Sequence, residues 1–354
     1  MATGKVFYVE KRSSLKLALM SFVAAVLVVC VHAPFTHVRS LSQLFEGFVG
    51  SHLAAVAVPF FFITSGFFLG RHTDEQGWYG AALGKRVKTL LIPYLIWCVI
   101  LCVTKNVYLF AANLIHCEPL MSYVDFRPIN VFGLNPNVNP PQPLWYLRAL
   151  MFYVLISPAF VLVARSKVIL TVTTVGLFVL GCFHGQIVNT FPGDLFLFTL
   201  APLNVLCFLS GIFLGRNPHL IEKSSPRGGG IVMVIAIGLM VFNAICRYVP
   251  IELGSILTKF LRQIAVLLVI SGAWHICPAI ELPSIFRAQS FPVYLLHGVF
   301  LPAVLVMKNA APAFIESAAG YVFIVTFAVA CSIVASHVLR RFLPRFNNVI
   351  FGGR

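Results

Sequence analysis

Carboxylates are missing from the apolar stretches of this chain. Of its 354 residues only 11 are Asp or Glu. Glu10, Glu46, Asp74, Glu75, Glu118, Asp125, Asp194, Glu222, Glu252, Glu281 and Glu316 all fall in loops or at the edges of apolar runs. Proton-coupled pumps and transporters commonly place ionisable relays inside their spans, so this absence argues against that class. Charge of either sign is scarce: 10% of residues are charged and 59% hydrophobic, against roughly 25% and 45–50% in a soluble domain. A water-soluble fold could not bury that much apolar surface. Cysteine occurs nine times, yet no disulfide framework or zinc spacing is visible. Most of the cysteines, such as Cys30, Cys98, Cys182 and Cys207, lie within apolar stretches as small polarizable core residues. No metal is expected. No internal repeat is visible either, nor the broken, pseudo-symmetric segments that often mark transporters.

What the chain does have is a succession of apolar runs, at about 15–35, 51–70, 89–111, 144–164, 168–184, 195–215, 230–249, 256–276, 288–308 and 319–339. A run of about twenty apolar residues spans a bilayer. The fold class expected is all-α: a polytopic integral membrane helix bundle of about ten transmembrane helices, one domain over residues 1–354. Lys11, Arg12 and Lys16 ahead of the apolar stretch Leu17–Val31 resemble the start of a signal peptide. Because so many further spans follow, that stretch is read as a retained first helix.

The net charge of +15 raises the question of nucleic acid, but a nucleic-acid binder gathers Lys and Arg on one patch or stripe. Here they are dealt out between apolar runs, and no nucleic-acid partner is expected. The N-terminal stretch, the even-numbered connections and the C-terminus hold most of the 26 basic residues. By the positive-inside rule this places both termini in the cytoplasm of a multi-pass protein of the inner (plasma) membrane, with lipids as its neighbours. The one long connection, 112–143, then lies outside. It is rich in Pro and Asn, and long irregular loops are commonly functional or disordered. It reads either as a lid or recognition loop or as a tether.

Histidine is the polar residue that does enter the core. His32 lies sixteen residues beyond Lys16, roughly 24 Å along a helix, in the outer part of the bilayer. Polar groups at that depth are costly and often functional. A neutral imidazole there suits general acid–base catalysis; an interfacial imidazole bonded to backbone is the other reading. His297 comes ten residues after Arg287, roughly 15 Å in and near the midplane. It either packs, or orients His32 or lines a polar path. Arg71, Arg86 and Lys88 form a basic cluster at the cytoplasmic boundary. Such residues serve topology and headgroups, and equally suit the phosphates of a polyanion such as coenzyme A. Arg148 follows Trp145 and Tyr146, residues that favour the interface. It is placed to snorkel, or to hold an acceptor on the same face as His32.

Five segments occur in a telling order: Leu27-Val-Val-Cys-Val-His32; Val58-Pro-Phe-Phe-Phe-Ile-Thr-Ser-Gly-Phe67; Lys85-Arg-Val-Lys88 with Leu91-Ile-Pro-Tyr-Leu-Ile-Trp97; Pro143-Leu-Trp-Tyr-Leu147; and Ser290-Phe-Pro-Val-Tyr-Leu-Leu-His297. Together they resemble the acyltransferase family 3 membrane proteins, closest to the branch of sugar and surface-polysaccharide O-acetyltransferases. The resemblance implies transfer of an acyl group, usually acetyl from acetyl-CoA, to a sugar hydroxyl of a glycan or lipid-linked precursor. It implies His32 as the catalytic histidine, Arg86, Lys88 and Arg71 as candidate donor-binding residues, and Arg148, Trp145, Tyr146 and His297 near the acceptor. Ser65 and Gly66 are expected to serve close packing, since no nucleophile elbow surrounds Ser65. The chain departs from the family where Ser21 stands eleven residues before His32 in place of Arg, and where Thr89 ends a common Arg-x-x-Arg. It departs again at Leu150 and Met151, where many members carry acids. A glycan or lipid exporter on the same scaffold, or a structural membrane subunit, are the alternatives.

Overall fold

A bilayer offers the backbone no hydrogen-bond partners, so apolar segments in it must close their bonds internally as helices. The computed structural model describes residues 11–33, 45, 47–116, 125–133, 144–190, 200–222, 225–248, 254–303, 307, 311–315 and 317–353. Among these residues every regular element is helical. The apolar helices are α1 (Lys11–His32), α2 (Phe48–Gly70), α3 (Trp78–Ala111), α5 (Trp145–Leu155), α6 (Ser157–Arg165), α7 (Lys167–Thr190), α8 (Pro202–Arg216), α10 (Pro226–Tyr248), α11 (Ser255–Ile276), α12 (Ser290–Phe300) and α14 (Ala318–Phe342). Short helices α4 (Pro128–Val131), α9 (His219–Glu222), α13 (Pro312–Ile315) and α15 (Pro344–Ile350) join or follow them.

Among the described residues seven helices are long and apolar enough to cross a membrane. Helices α5 and α6, bent by 64° where Pro158 lacks the N–H that would continue the helix, make an eighth when the pair is one broken span. Helices α8 and α12 are apolar but shorter. Each of the ten expected segments therefore coincides with a helix, although these last two, at about 22 and 16 Å, fall short of a roughly 30 Å hydrocarbon layer by themselves. Helix α3 has the opposite excess, at about 50 Å, so its first turns project beyond the hydrocarbon. Those turns carry Lys85, Arg86 and Lys88. Much of the long loop expected over 112–143, along with residues 1–10, lies outside the described residues.

Ion pairs gather helix ends onto one basic face. Asp74, in the turn after α2, meets Arg216 at 2.8 Å and Arg165 at 3.9 Å. Glu281 meets Lys11 at 3.5 Å and Arg287 at 3.6 Å. Lys16, only 4% exposed, donates to the Trp274 carbonyl at 2.9 Å and lies 5.4 Å from its ring. That contact docks the start of α1 against the end of α11.

The tightest packing in the bundle is between α2 and α8, and its cause is a repetition that reading the chain for long-period repeats missed. Ser65-Gly-Phe-Phe-Leu-Gly-Arg71 and Ser210-Gly-Ile-Phe-Leu-Gly-Arg216 differ at one position. Each contains Gly-x-x-x-Gly, the spacing that lets helix backbones approach closely in membranes. A Cβ on Gly66 would run into the Phe208 carbonyl, and one on Gly70 into Ile212 O. Reciprocally, Gly211 faces Ile63 O and Gly215 faces Phe67 O. Shifting numbers by 145 converts one pair of contacts into the other. The two helices run parallel, both ending at the basic face, and are related by a local two-fold axis along their length.

Candidate active site

A cavity of about 640 Å³ opens near the basic face, within the roughly 300–1,000 Å³ typical of small-molecule sites. His72, Glu75, Trp78, Lys85 and Arg86 line its outer part. Glu75 pairs with His72 at 2.7 Å, whereas Lys85 and Arg86 have no carboxylate within ion-pair distance among the described residues. Thr89 also faces the cavity, and its hydroxyl oxygen is buried with no partner among the described residues. Ser21 on α1 lines the wall, so the position where the family often carries Arg does point at this space. Lys88, exposed one helical half-turn from Arg86, does not line it, and neither does Arg71.

Toward the middle of the bundle the walls become hydroxyls and rings. Ser65 on α2 lies 3.0 Å from the Tyr146 hydroxyl, which donates to the Phe61 carbonyl at 3.2 Å. With the Tyr146 proton so used, Ser65 Oγ–H is the donor in the pair. Tyr146 makes an edge contact with Tyr294 on α12, ring centroids 5.9 Å apart. Ser65, Tyr146 and Tyr294 all line the cavity.

One helical turn beyond Tyr294 stands His297, its ring 6.4 Å from that tyrosine. Its other face stacks on His32 at 5.4 Å and 18°. Two histidines 265 positions apart in the chain therefore form one imidazole pair. His297 is 1% exposed, and its Nδ1 lies 3.1 Å from Val293 O. A carbonyl only accepts, which assigns the proton to Nδ1 and leaves a lone pair on Nε2. That Nε2 is buried without a partner among the described residues. His32 ends α1 and is half-buried. The helix end is fixed by Tyr321 of α14, whose hydroxyl donates to Cys30 O at 2.8 Å. Neither histidine lines the cavity; Tyr294, which does, is the ring beside His297.

Arg148 is placed elsewhere. Its Nη1 donates to the Gly133 carbonyl, and Tyr94 donates to Phe132 O at 2.7 Å. Together they hold the 125–133 segment, which includes α4, against α3 and α5. Within that segment Arg127 bonds Asp125 through its backbone N–H at 2.9 Å and through its guanidinium, and those bonds hold the Asp125 carboxyl below the usual carboxylate range. Trp145, the first residue of α5, packs on the core. Of the acceptor-side residues read from sequence, Tyr146 and His297 thus approach the cavity and the His32 ring, while Arg148 anchors a loop. Tyr294 was missed as a site residue, although it stands three positions before His297, on the same helix face.

The helices and the chamber they enclose define a multi-pass membrane protein with a substrate-sized space reached past unpaired cations. A family model described as an acyltransferase domain, that of acyltransferase family 3, matches residues 16–337. The chain belongs to this family and is an acyltransferase acting on groups other than aminoacyl. No curated protein and no solved structure matches it.

Proposed function

We propose that this acyltransferase moves an acyl group, acetyl foremost, from acyl-CoA to a sugar hydroxyl of a surface glycan or lipid-linked precursor, working in the inner membrane with both termini cytoplasmic and ten crossings. The observation that carries this reading is the cavity, which runs from unpaired cations at its mouth to a hydroxyl pair beside two stacked imidazoles. Lys85 and Arg86 suit the phosphates of the donor, and the orphaned Thr89 hydroxyl offers a further polar contact. Lys88 and Arg71 contribute to the basic potential around the mouth rather than to the pocket itself.

Acyl-CoA supplies an activated carbonyl carbon and a thiolate leaving group. The acyl group passes the Tyr294 ring at the inner wall to reach His32, the more exposed imidazole, which takes the proton of the acceptor hydroxyl as its oxygen attacks that carbon and returns it to the departing sulfur. Negative charge grows on the carbonyl oxygen during attack, and the Ser65 Oγ–H, turning from Tyr146 toward it while Tyr146 stays bonded to the Phe61 carbonyl, is the hydroxyl donor at the inner wall. His297 sets the plane of the His32 ring by stacking on it. The acceptor approaches from the opposite face, where the segment held by Arg148 lies.

Mass spectrometry of surface glycans from producing and deletion strains tests the reading. Loss of one acyl unit per modified sugar in the deletion strain is the expected result. Disappearance of the whole glycan from the surface would instead identify an exporter.

A further inference from the structure

The residues matched by the family model stop at 337, yet Gly352 and Gly353 line the cavity together with Lys85, Arg86 and Thr89. They are brought there by α15, which follows α14 after Leu343 and turns back into the bundle. One face of it is buried, with Asn347 2% and Ile350 1% exposed and Phe351 just after it 1% exposed, while the other face, with Phe346 and Val349, is open. Trp97 of α3 donates its indole N–H to the Ile350 carbonyl at 2.9 Å, and its ring lies 6.0 Å from that of Phe351. The chain then passes through two left-handed residues, Gly352 at φ +66° and Gly353 at φ +71°, a conformation that glycine adopts without penalty. A Cβ on Gly352 would come within 2.7 Å of the Thr89 Cα and carbonyl oxygen. The backbones of the C-terminal segment and of the α3 turn carrying Arg86 are therefore in direct contact. Gly353 is different, because nothing lies within 4 Å of where its Cβ would be. Its missing side chain leaves open cavity.

We propose that residues 344–353 form a wall of the donor cavity, and that Gly353 keeps clear the space beside Arg86 and Lys85 that the donor phosphates occupy. This inference rests on the donor reading given above. The segment lies beyond the residues that the family model matches.

The test uses charge at constant size. Asn and Asp both tolerate the left-handed conformation better than other side chains, so Gly353→Asn and Gly353→Asp strain the backbone alike and differ by one negative charge. Purified full-length variants are assayed with acyl-CoA and with the N-acetylcysteamine thioester of the same acyl group, which has no phosphates. Gly353→Asp should raise KM for acyl-CoA about tenfold over Gly353→Asn, as expected for a like charge a few ångströms from phosphates at a partly screened site. KM and kcat for the small thioester should match between the two variants, and salt should shrink the difference. Equal KM values for acyl-CoA in both variants, or parallel losses with both donors, would overturn the wall. Failure of the unmodified protein to turn over acyl-CoA at all would instead overturn the donor reading, and the wall with it.

Discussion

Arg86 and Lys88 are two residues apart, and only Arg86 faces the cavity. On a helix two residues are about 200° apart, so neighbours in a basic cluster point in opposite directions. A cluster is legible in sequence; its division of labour is not, until the helix phase is known. Arg86→Gln should raise KM for acyl-CoA about tenfold, the order of one charge-assisted hydrogen bond, with kcat little changed. Lys88→Gln should stay within about twofold, since an exposed charge contributes little. Initial-rate kinetics on the two variants distinguish them, and equal effects would mean that general surface potential, not the cavity, attracts the donor. His32 and His297 were each legible as polar residues placed in apolar runs. Their stacking was not, because hydrophobic periodicity places residues on faces of their own helix and carries no information about a partner 265 positions away. Arg148 shows the converse: its depth and its aromatic neighbours suggested an acceptor site, while the carbonyl it bonds belongs to a loop whose path the sequence does not reveal.

Among the helices, the positions of most apolar segments were legible, since each expected run overlaps a helix, although the helix in the 288–308 run is only Ser290–Phe300. What escaped was how they pack. The paired Gly-x-x-x-Gly segments of α2 and α8 were present in the sequence as two nearly identical heptapeptides, too short to register as a repeat of 20–50 residues of the kind that marks solenoids. Their mutual contacts make a sharp prediction about alanine. In an unobstructed helix, Gly→Ala is favourable by roughly 0.5–1 kcal/mol, and Gly238 on α10, with nothing near its would-be Cβ, should behave so. At Gly66 or Gly211 the added methyl meets a backbone carbonyl that has no rotamer to escape into. Those substitutions should destabilise by about 1–3 kcal/mol, read as a lowered thermal midpoint in detergent. A Gly66→Ala protein as stable as Gly238→Ala would refute the contact.

The whole molecule brings together a basic face, a cavity entered from it, and an imidazole pair beyond the cavity's inner wall. Family membership was legible from five short motifs in order, and four of the five contribute residues that line the cavity. The C-terminal wall was not, because α15 and the two glycines after it resemble an ordinary basic tail until the chain is seen to fold back. If the proposed arrangement is right, donor and acceptor meet from opposite sides of the membrane, and His32 performs the chemistry between them. The most direct measurement is CoA release and acylated glycan formed by proteoliposomes supplied with acyl-CoA on the basic face and acceptor on the other, comparing the unmodified protein with His32→Ala at equal insertion. The account predicts acceptor-dependent CoA release from the unmodified protein and a rate lower by about 10²- to 10⁴-fold in His32→Ala, the usual contribution of a general base, with KM for acyl-CoA unchanged. Turnover by His32→Ala at close to the unmodified rate would contradict it.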